Sequence, residues 1–389
     1  MAGSVDELEF VLNCLRLHFG SVAAEVALGQ DIKHKPDWRR IVSIAKRNGV
    51  TPLVRQSLLK LDRKPIPDSF YLQIQNEFQS CAINSLRYAR ELSDIQRAFH
   101  GAGLRALALK GPALAVRRYG KQSLRQCRDL DLLVARGDVA RTIDVLSSLG
   151  YGVDQHGPTV NLLLKTDKHL VLVHRERGTR VEVHWKIALP SLHVNLSFDS
   201  LWDNRDAVSV LGTRINIPFT NHLLLMLCVH WASHCWASLK WGCDIAAFVR
   251  IHPDLDWTGL CRDAQRLGCL RMLLLAMVLA RDATGVALPD PVTRKLEADP
   301  VIPRLSRDVR RRSYTTDGLL YEQRLMLYFR SRERVVDKVR FCVGYFRSLV
   351  AVRTRLRRIA SGPLYGPPVL TSFVTRLLSE MAPAGADRS

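Results

Sequence analysis

The spacing of apolar and polar positions divides the chain into three kinds of region. In residues 1–100, apolar side chains recur at intervals of three and four, which is typical of amphipathic helices. The pattern predicts helices over 8–17, over 38–61 with a break near 49–52, and over 69–99. We therefore expect an N-terminal helical region that caps or docks onto the rest of the chain.

Residues 101–218 have short apolar segments separated by glycine turns, which predicts a small mixed β-sheet too small for a doubly wound domain. Gly212-Thr213 is expected to turn a hairpin. Pro112 suits the first turn of a helix, and a second helix is expected over 138–149. Strands are predicted at 104–109, 129–134, 160–164, 170–174, 180–186, 208–211 and 214–217.

Helical spacing returns after Pro218, with expected helices at 222–241, 243–251, 255–267 and 268–283. Four prolines between 289 and 303 mark a linker, and a basic helical segment is expected over 319–360. The predicted fold class is α+β, a small mixed β-sheet core flanked by helical regions. The expected divisions are an N-terminal helical region 1–100, the α/β core 101–218, a helical subdomain 219–290 that closes the site, and a basic C-terminal helical region and tail 291–389.

Three acidic residues sit on two of the predicted strands. A strand alternates its side chains between two faces, so Asp129 and Asp131 share one face while their apolar neighbours point into the core. Glu182 repeats this pattern between two valines. Carboxylates at fixed separation suit hard divalent cations, so all three are predicted ligands for Mg²⁺ or Mn²⁺. The alternative is a polar edge of a surface strand; the residues upstream favour the metal site.

Lys110-Gly111 ends the apolar segment before these acids. A glycine at a strand-to-helix turn lets phosphate approach the backbone amides, and Lys110 would add a positive charge. Arg125 could neutralise charge that develops on a triphosphate. A solvated Lys110 and a salt bridge from Arg125 to one of the aspartates are the competing interpretations.

These residues, taken together, resemble a known family. The order of strand, lysine-glycine turn, helix, arginine and paired aspartates resembles the polymerase-β-like nucleotidyltransferase superfamily. Two departures, a proline after the glycine and an 18-residue step from Gly111 to Asp129, suit the narrower bacterial uncharacterised nucleotidyltransferase family. The resemblance covers roughly residues 75–285. Its motifs are Leu109-Lys110-Gly111, Tyr119-Gly120, Arg125, Asp129-Leu130-Asp131-Leu132-Leu133-Val134, Glu182-Val183-His184-Trp185, His230-x-x-x-His234, Lys240-Trp241 and Asp244-Ile245-Ala246.

The resemblance implies a metal-dependent transferase that moves a nucleoside monophosphate from an NTP, expected to be ATP, and releases pyrophosphate. Asp129 and Asp131 would bind the metal, and Glu182 would complete the site or accept a proton from the attacking group. The acceptor stays open between a small molecule, a peptide or protein hydroxyl and an RNA end. The family's association with peptide natural products suggests a role in natural-product biosynthesis. A non-catalytic binding module and a γ-phosphotransferase are the alternative functions.

Histidines supply further candidates for nucleotide binding. His230 and His234 are four residues apart, so they share a helix face that is expected to close over the nucleotide or acceptor. Zinc binding is disfavoured because the segment lacks a HExxH glutamate, and ordinary core histidines are the other alternative. His184 is expected either to orient a phosphate or to fill the sheet face. Trp231, Trp236 and Trp241 are expected mostly in the core, although one could stack on a base.

Charge and cysteine content bear on partners and compartment. The net charge is +20, and residues 301–360 carry 16 Arg and Lys against 5 Asp and Glu. This region would suit an acidic peptide, an anionic lipid or a nucleic acid. A solvated helix face is favoured, because aromatic residues are not interleaved with the arginines. Nine cysteines without paired spacing, no signal peptide and no membrane span predict a soluble cytoplasmic protein.

Overall fold

A computed structural model of the protein describes residues 6–62, 65–153, 159–188, 192, 194–314 and 321–344. The N-terminal part is helical, and side chains of Asp6, Ser21 and Asp37 cap the first three helices by accepting hydrogen bonds from backbone amides. The helices predicted in this part of the chain are confirmed. The second helix of the structure was not predicted, because Val22 and Val26 are exposed and interrupt its apolar face. The bounds are α1 Glu7–His18, α2 Val22–Lys33, α3 Trp38–Arg47, α4 Thr51–Leu58 and α5 Asp68–Gly101.

The middle of the chain forms a five-stranded mixed sheet and a separate hairpin, as the fold class predicted. The sheet order is β1-β2-β5-β4-β3; β2 and β5 are parallel, and all other neighbours are antiparallel. The hairpin pairs β6 with β7. The strands are β1 Ala106–Ala108, β2 Leu130–Val134, β3 Tyr151–Val153, β4 His169–His174, β5 Arg180–His184, β6 Arg205–Val210 and β7 Thr213–Pro218. The helices between them are α6 Gly111–Tyr119, α7 Val139–Ser148, α8 Val160–Thr166 and α9 Phe198–Asp203.

The remainder is helical and packs around α13, whose residues from Met272 to Ala280 are all buried. No helix among the described residues is long and apolar enough to cross a membrane. The bounds are α10 Thr220–Ser233, α11 Leu239–Ile251, α12 Trp257–Arg266, α13 Leu270–Thr284, α14 Asp290–Glu297, α15 Ile302–Ser313 and α16 Tyr321–Arg330, with a further helical segment at 335–344.

The two faces of the five-stranded sheet have opposite character. Leu130, Leu132 and Val134 of β2 lie on one face and pack in a cluster with the second half of α5. Leu133 points the other way and belongs to the cluster formed by α10 and the later helices. The polar residues of β2 and β5 share the face of Leu133. One face is thus an apolar core, and the other is partly covered by helices that follow the sheet in sequence.

Two predicted elements were wrong, and one strand was not predicted. Residues 160–164, predicted as a strand, lie in α8, because a short apolar segment rich in leucine suits a helix as well as a strand. The strand that follows α7 is β3. The helix predicted over 222–241 ends at Ser233, because Cys235 and Trp236 adopt positive φ angles of 53° and 54° and turn the chain.

The predicted linker at 289–303 contains α14. Proline fits the first turn of a helix, and Val292 and Leu296, four residues apart, bury the same helix face. Part of the basic segment predicted over 319–360 is helical, in α16 and 335–344. Residues 345–389 lie outside the described residues, and with them the rest of the predicted basic segment and the tail.

Candidate functional site

The predicted metal-binding carboxylates belong to two neighbouring strands. Asp131 of β2 pairs in register with Glu182 of β5, and Leu133 pairs with His184. Because side chains alternate along a strand, Asp131, Glu182 and His184 all lie on the polar face. Asp129 stands just before β2 and is half-buried. The structure thus places two of the three acids side by side and the third at the strand entrance.

Asp131 is a fully buried carboxylate in contact with a lysine and a histidine. Its Oδ1 forms an ion pair with Lys110 Nζ at 2.7 Å and lies 3.1 Å from His184 Nε2. Burial would raise the pKa of Asp131, but the charge of Lys110 and the hydrogen bond of His184 outweigh burial and hold it below its ordinary value. Among the described residues, Oδ2 is buried without a hydrogen-bond partner. Asp131 is therefore a charged group with one oxygen still available.

Lys110 links the sheet to the helix that covers it. It is the N-cap residue of α6, in extended conformation, and its Nζ lies 3.0 Å from Nε2 of His230 on α10. Burial, together with the charge of Lys110, lowers the pKa of His230 well below its ordinary value, so the imidazole is neutral. Gly111 follows with φ of 70°, a conformation that favours glycine, and it is buried beside the backbone of Asp129.

Two histidines flank Glu182. His184 Nε2 lies 3.3 Å from Glu182 Oε2, and His169 Nε2 lies 3.8 Å from the same oxygen. The strand register pairs His169 with His184, and their rings stack with centroids 4.8 Å apart. Burial, and then the neighbouring His184, lowers the pKa of His169 to about 4. Burial would raise the pKa of Glu182, but the hydrogen bond from His184 keeps it lowered.

A pocket of about 260 Å³ opens over these residues. Three lysines, 110, 168 and 240, reach it from different elements. Burial and the charge of Lys110 lower the pKa of Lys168, and burial and Arg125 lower that of Lys240 to about 8. Burial and the charge of Asp131 raise the pKa of Asp129. The lining residues are Lys110, Arg125, Asp129, Lys168, His169, Glu182, His230, Ser233, His234, Lys240 and Trp241.

The helical wall of the pocket is aromatic. His230, His234 and Trp241 form a triangle with ring centroids 4.5 to 5.0 Å apart. Burial and Lys168 lower the pKa of His234 to about 4. Trp241 is half-buried at the pocket, whereas Trp231 and Trp236 are fully buried in the core. Uncharged aromatic rings from the helices therefore line the same pocket as the acids.

Arg125 makes a different kind of contact. Its Nε lies 3.0 Å from both carboxylate oxygens of Asp244 on α11, and its Nη2 lies 2.9 Å from Oδ2. Tyr119 donates a hydrogen bond to Oδ1 of the same aspartate at 3.2 Å. Burial would lower the pKa of Arg125, but Asp244 outweighs burial and raises it. The guanidinium lines the pocket, but its ion-pair partner is Asp244, which is not one of the three predicted metal ligands.

The oxygen donors of Asp129, Asp131 and Glu182 suit Mg²⁺ or Mn²⁺. The unpartnered Oδ2 of Asp131 is a buried atom that such an ion would satisfy. The tightest set of potential ligands in the described part of the chain is a different one: His169, Glu182 and His184 offer atoms within 4.8 Å of one another. Glu182 thus belongs to the predicted carboxylate set and to a histidine-containing set.

Sequence reasoning gave no site role to four lining residues of the pocket: Lys168, His169, Ser233 and Lys240. The predicted strand began at residue 170, one position after His169, so the alternation that places His169 opposite His184 was not used. Lys240 belonged to a recognised motif, but its turn into the pocket depends on the break after α10. Lys168 carries no local signal, because it stands just before β4 and reaches the pocket only through the pairing of β4 with β5 and of β5 with β2, which is distant in sequence.

The sheet, its strand-to-helix turn and the acidic pair define the class of protein as a nucleotidyltransferase. The family model for "Uncharacterised nucleotidyltransferase" matches residues 34–285, more than half of the chain. The protein belongs to this uncharacterised nucleotidyltransferase family, and membership supports nucleotidyl transfer as its general function. Neither the curated proteins nor the solved structures contain a match.

Proposed function

We propose that the protein transfers a nucleoside monophosphate from an NTP to an acceptor hydroxyl and releases pyrophosphate, with a divalent cation as cofactor. One observation carries the proposal. A buried, charged Asp131 keeps a free oxygen on a sheet face that it shares with Glu182, beside a pocket lined by three lysines. Acids that hold a cation next to cations that hold phosphates are the arrangement that phosphoryl chemistry requires.

Each group has a role that follows from its position. Asp129, Asp131 and Glu182 would hold Mg²⁺ or Mn²⁺, and the ion would neutralise charge on the phosphates. Lys110, Lys168 and Lys240 surround the same pocket, so they would bind the anionic triphosphate. Lowered pKa values make Lys168 and Lys240 responsive to an added anion, because a bound phosphate favours their charged forms.

The aromatic wall suits the uncharged part of the nucleotide. Trp241 offers a half-buried ring, and neutral His234 lies against it with centroids 4.9 Å apart. A base stacked on this ring would lie across the pocket from the carboxylates. We propose ATP as the donor. The acceptor is proposed only as a hydroxyl of a small molecule, a peptide or an RNA, and the basic segment is a candidate surface for an acidic partner or nucleic acid.

The test is magnesium-dependent turnover of the four NTPs by the full-length protein, with cell extract as the source of acceptors and pyrophosphate release as the readout. The Asp129→Ala/Asp131→Ala variant is compared with wild type. Asp144→Asn serves as the matched control, because Asp144 is an exposed acid on α7 of the same core. Pyrophosphate from wild type and control, but not from the double variant, is the expected result.

Other outcomes separate the alternative functions. Release of ADP in place of pyrophosphate would indicate γ-phosphotransfer. Failure of wild type to bind any Mg–NTP would overturn the transferase proposal. Salt-sensitive binding of nucleic acid or an acidic peptide that persists in the double variant, without NTP turnover, would favour a binding module.

A further inference from the structure

Two histidines lie beside one carboxylate oxygen of Glu182. The same oxygen, Glu182 Oε2, lies 3.3 Å from His184 Nε2 and 3.8 Å from His169 Nε2. All three residues can present one ligand atom within 4.8 Å of the others. Two imidazoles and one carboxylate therefore converge on a single point at the pocket wall.

These separations are close to those inside a metal coordination shell. Bonds from zinc to histidine nitrogen or carboxylate oxygen are about 2.0–2.1 Å, so neighbouring ligands of a tetrahedral ion stand about 3.4 Å apart. The two observed distances, 3.3 and 3.8 Å, bracket that value. An ion here would replace the Nε2 proton that His184 shares between Glu182 and Asp131, and the proton would move to Nδ1, which has no hydrogen-bond partner among the described residues.

The framework that holds the ligands is rigid. His169 and His184 are register partners on antiparallel β4 and β5, and Glu182 lies two residues before His184 on the same face. On the other side of the His169 ring, Nδ1 lies 3.8 Å from Asp167 Oδ1 and has no hydrogen-bond partner among the described residues. A carboxylate behind a metal-binding imidazole usually orients the ring, and Asp167 would do so here after a shift of less than about 1 Å. His169 and Glu182 also line the pocket, which gives an ion access from solvent.

We propose that His169, Glu182 and His184 bind a first-row transition-metal ion of the kind that accepts imidazole nitrogen, such as Zn²⁺ or Mn²⁺. Mg²⁺ prefers an all-oxygen shell, so it would be confined to the carboxylates of Asp129, Asp131 and Glu182. Glu182, which belongs to both sets, would lie between the two positions. The inference deepens the proposed function by naming the class of ion, and in that respect rests on it.

The test measures metal binding without nucleotide. The full-length protein is titrated with Co²⁺, whose visible absorption reports its ligands, and with Zn²⁺ by calorimetry, each in an excess of Mg²⁺. His169→Ala is the principal variant because His169 is half-buried, so its loss should leave the fold intact, which circular dichroism checks. Glu182→Gln is the second variant. His100→Ala, at an exposed position on α5, is the matched control.

One equivalent of Co²⁺ should bind to wild type and to the control. Loss of one ligand should weaken binding by at least about 10- to 100-fold, since even outer-shell partners cost this much. No saturable binding by wild type, or binding unaffected by His169→Ala and Glu182→Gln, would overturn the proposal. Binding lost only in His234→Ala would overturn it too, by moving the ion to the aromatic wall. Metal binding without NTP turnover would leave this site standing while the transferase proposal fails, and NTP turnover by a protein that shows no saturable Co²⁺ binding would do the reverse.

Discussion

Two buried ion pairs lie within the same pocket region, and their hydrogen bonding differs. In the pair of Arg125 and Asp244, the guanidinium contacts both carboxylate oxygens and Tyr119 adds a third donor. In the pair of Lys110 and Asp131, the lysine and His184 share Oδ1, and Oδ2 has no hydrogen-bond partner among the described residues. Both aspartates are fully buried. They differ in whether both carboxylate oxygens have hydrogen-bond partners among the described residues.

The difference separates structural support from chemistry. A saturated buried pair joins elements together: Arg125 precedes β2, Asp244 lies on α11, and their contact fixes the helical wall against the sheet. An unsaturated buried carboxylate costs folding free energy that a ligand can recover. The first pair therefore predicts a stability phenotype, and the second predicts an activity phenotype.

Asp131→Asn should have the largest effect on activity. The substitution keeps the volume but removes the charge that would hold a cation, so turnover should fall by about 10²–10³-fold, the range for loss of one preorganised electrostatic group. Pyrophosphate release with saturating Mg–NTP measures it, and the melting temperature checks the fold. Turnover within a few-fold of wild type in a folded variant would remove Asp131 from the metal site.

Arg125→Met should have the largest effect on stability. It leaves Asp244 charged and unpaired in the interior, which costs roughly 3–5 kcal/mol of unfolding free energy. Asp244→Leu should cost a similar amount for the same reason, and the double variant should recover most of the loss because no unpaired charge remains. Urea unfolding of wild type, the two single variants and the double variant measures the coupling free energy between Arg125 and Asp244. Additive losses would contradict the structural interpretation of this pair.

The same four proteins test the prediction that Arg125 binds nucleotide. If its contribution is structural, the double variant should retain NTP turnover within a few-fold. A double variant that is stable but has a much higher KM for NTP would instead indicate that Arg125 binds the triphosphate. The nearby exposed pair of Arg97 and Asp94 provides a control, since removal of either partner should have little effect.

Features set by local strand geometry were predictable from the sequence, whereas contacts between distant segments were not. Alternation in β2 and β5 predicted that Asp131 and Glu182 share a face, because strand geometry fixes side-chain direction locally. The partner of Arg125 was not predicted correctly, because Asp244 lies 119 residues later and only helix packing brings it close. His169 was missed for a related reason, as its neighbour His184 becomes visible only once the strand register is known. Short leucine-rich segments such as 160–164 carry too little periodicity to distinguish helix from strand.

Lys110→Met should weaken nucleotide binding by about 10- to 100-fold, in line with the roughly 1.5–3 kcal/mol of a charge-assisted hydrogen bond. Fluorescent Mg–NTP binding measures this, with Lys33→Met, at an exposed position on α2, as the control. Since the variant also removes the ion pair to Oδ1 of Asp131 and leaves only the contact with His184, affinity for Mg²⁺ alone should increase. Unchanged nucleotide affinity would mean that Lys110 does not bind nucleotide and serves only as the counter-ion of Asp131.

His18 is a half-buried histidine whose two charged neighbours, Arg250 and Lys60, are both cations. Burial, Arg250 and Lys60 lower its pKa from 6.5 to about 4 in the folded protein. Between these two pH values the unfolded chain binds the proton and the folded chain does not, so the free energy of unfolding should fall as the pH drops from 6.5 towards 4. His18→Gln should reduce this dependence by about 1 kcal/mol or more. Urea unfolding at pH 7.5 and pH 5 measures it, and an equal loss in both proteins would contradict the assignment.

Tyr119→Phe should have the smallest effect, and it measures how far the structural pair is saturated. The change removes only the 3.2 Å hydrogen bond from the Tyr119 hydroxyl to Asp244 Oδ1, while Arg125 keeps contact with both oxygens. Because the carboxylate stays paired, the loss should be about 1 kcal/mol, the usual net value of one hydrogen bond, with turnover unchanged. Urea unfolding resolves such a difference. A loss near that of Arg125→Met would mean that Tyr119 and Arg125 act as one cooperative network, and that removing any single donor leaves Asp244 in effect unpaired.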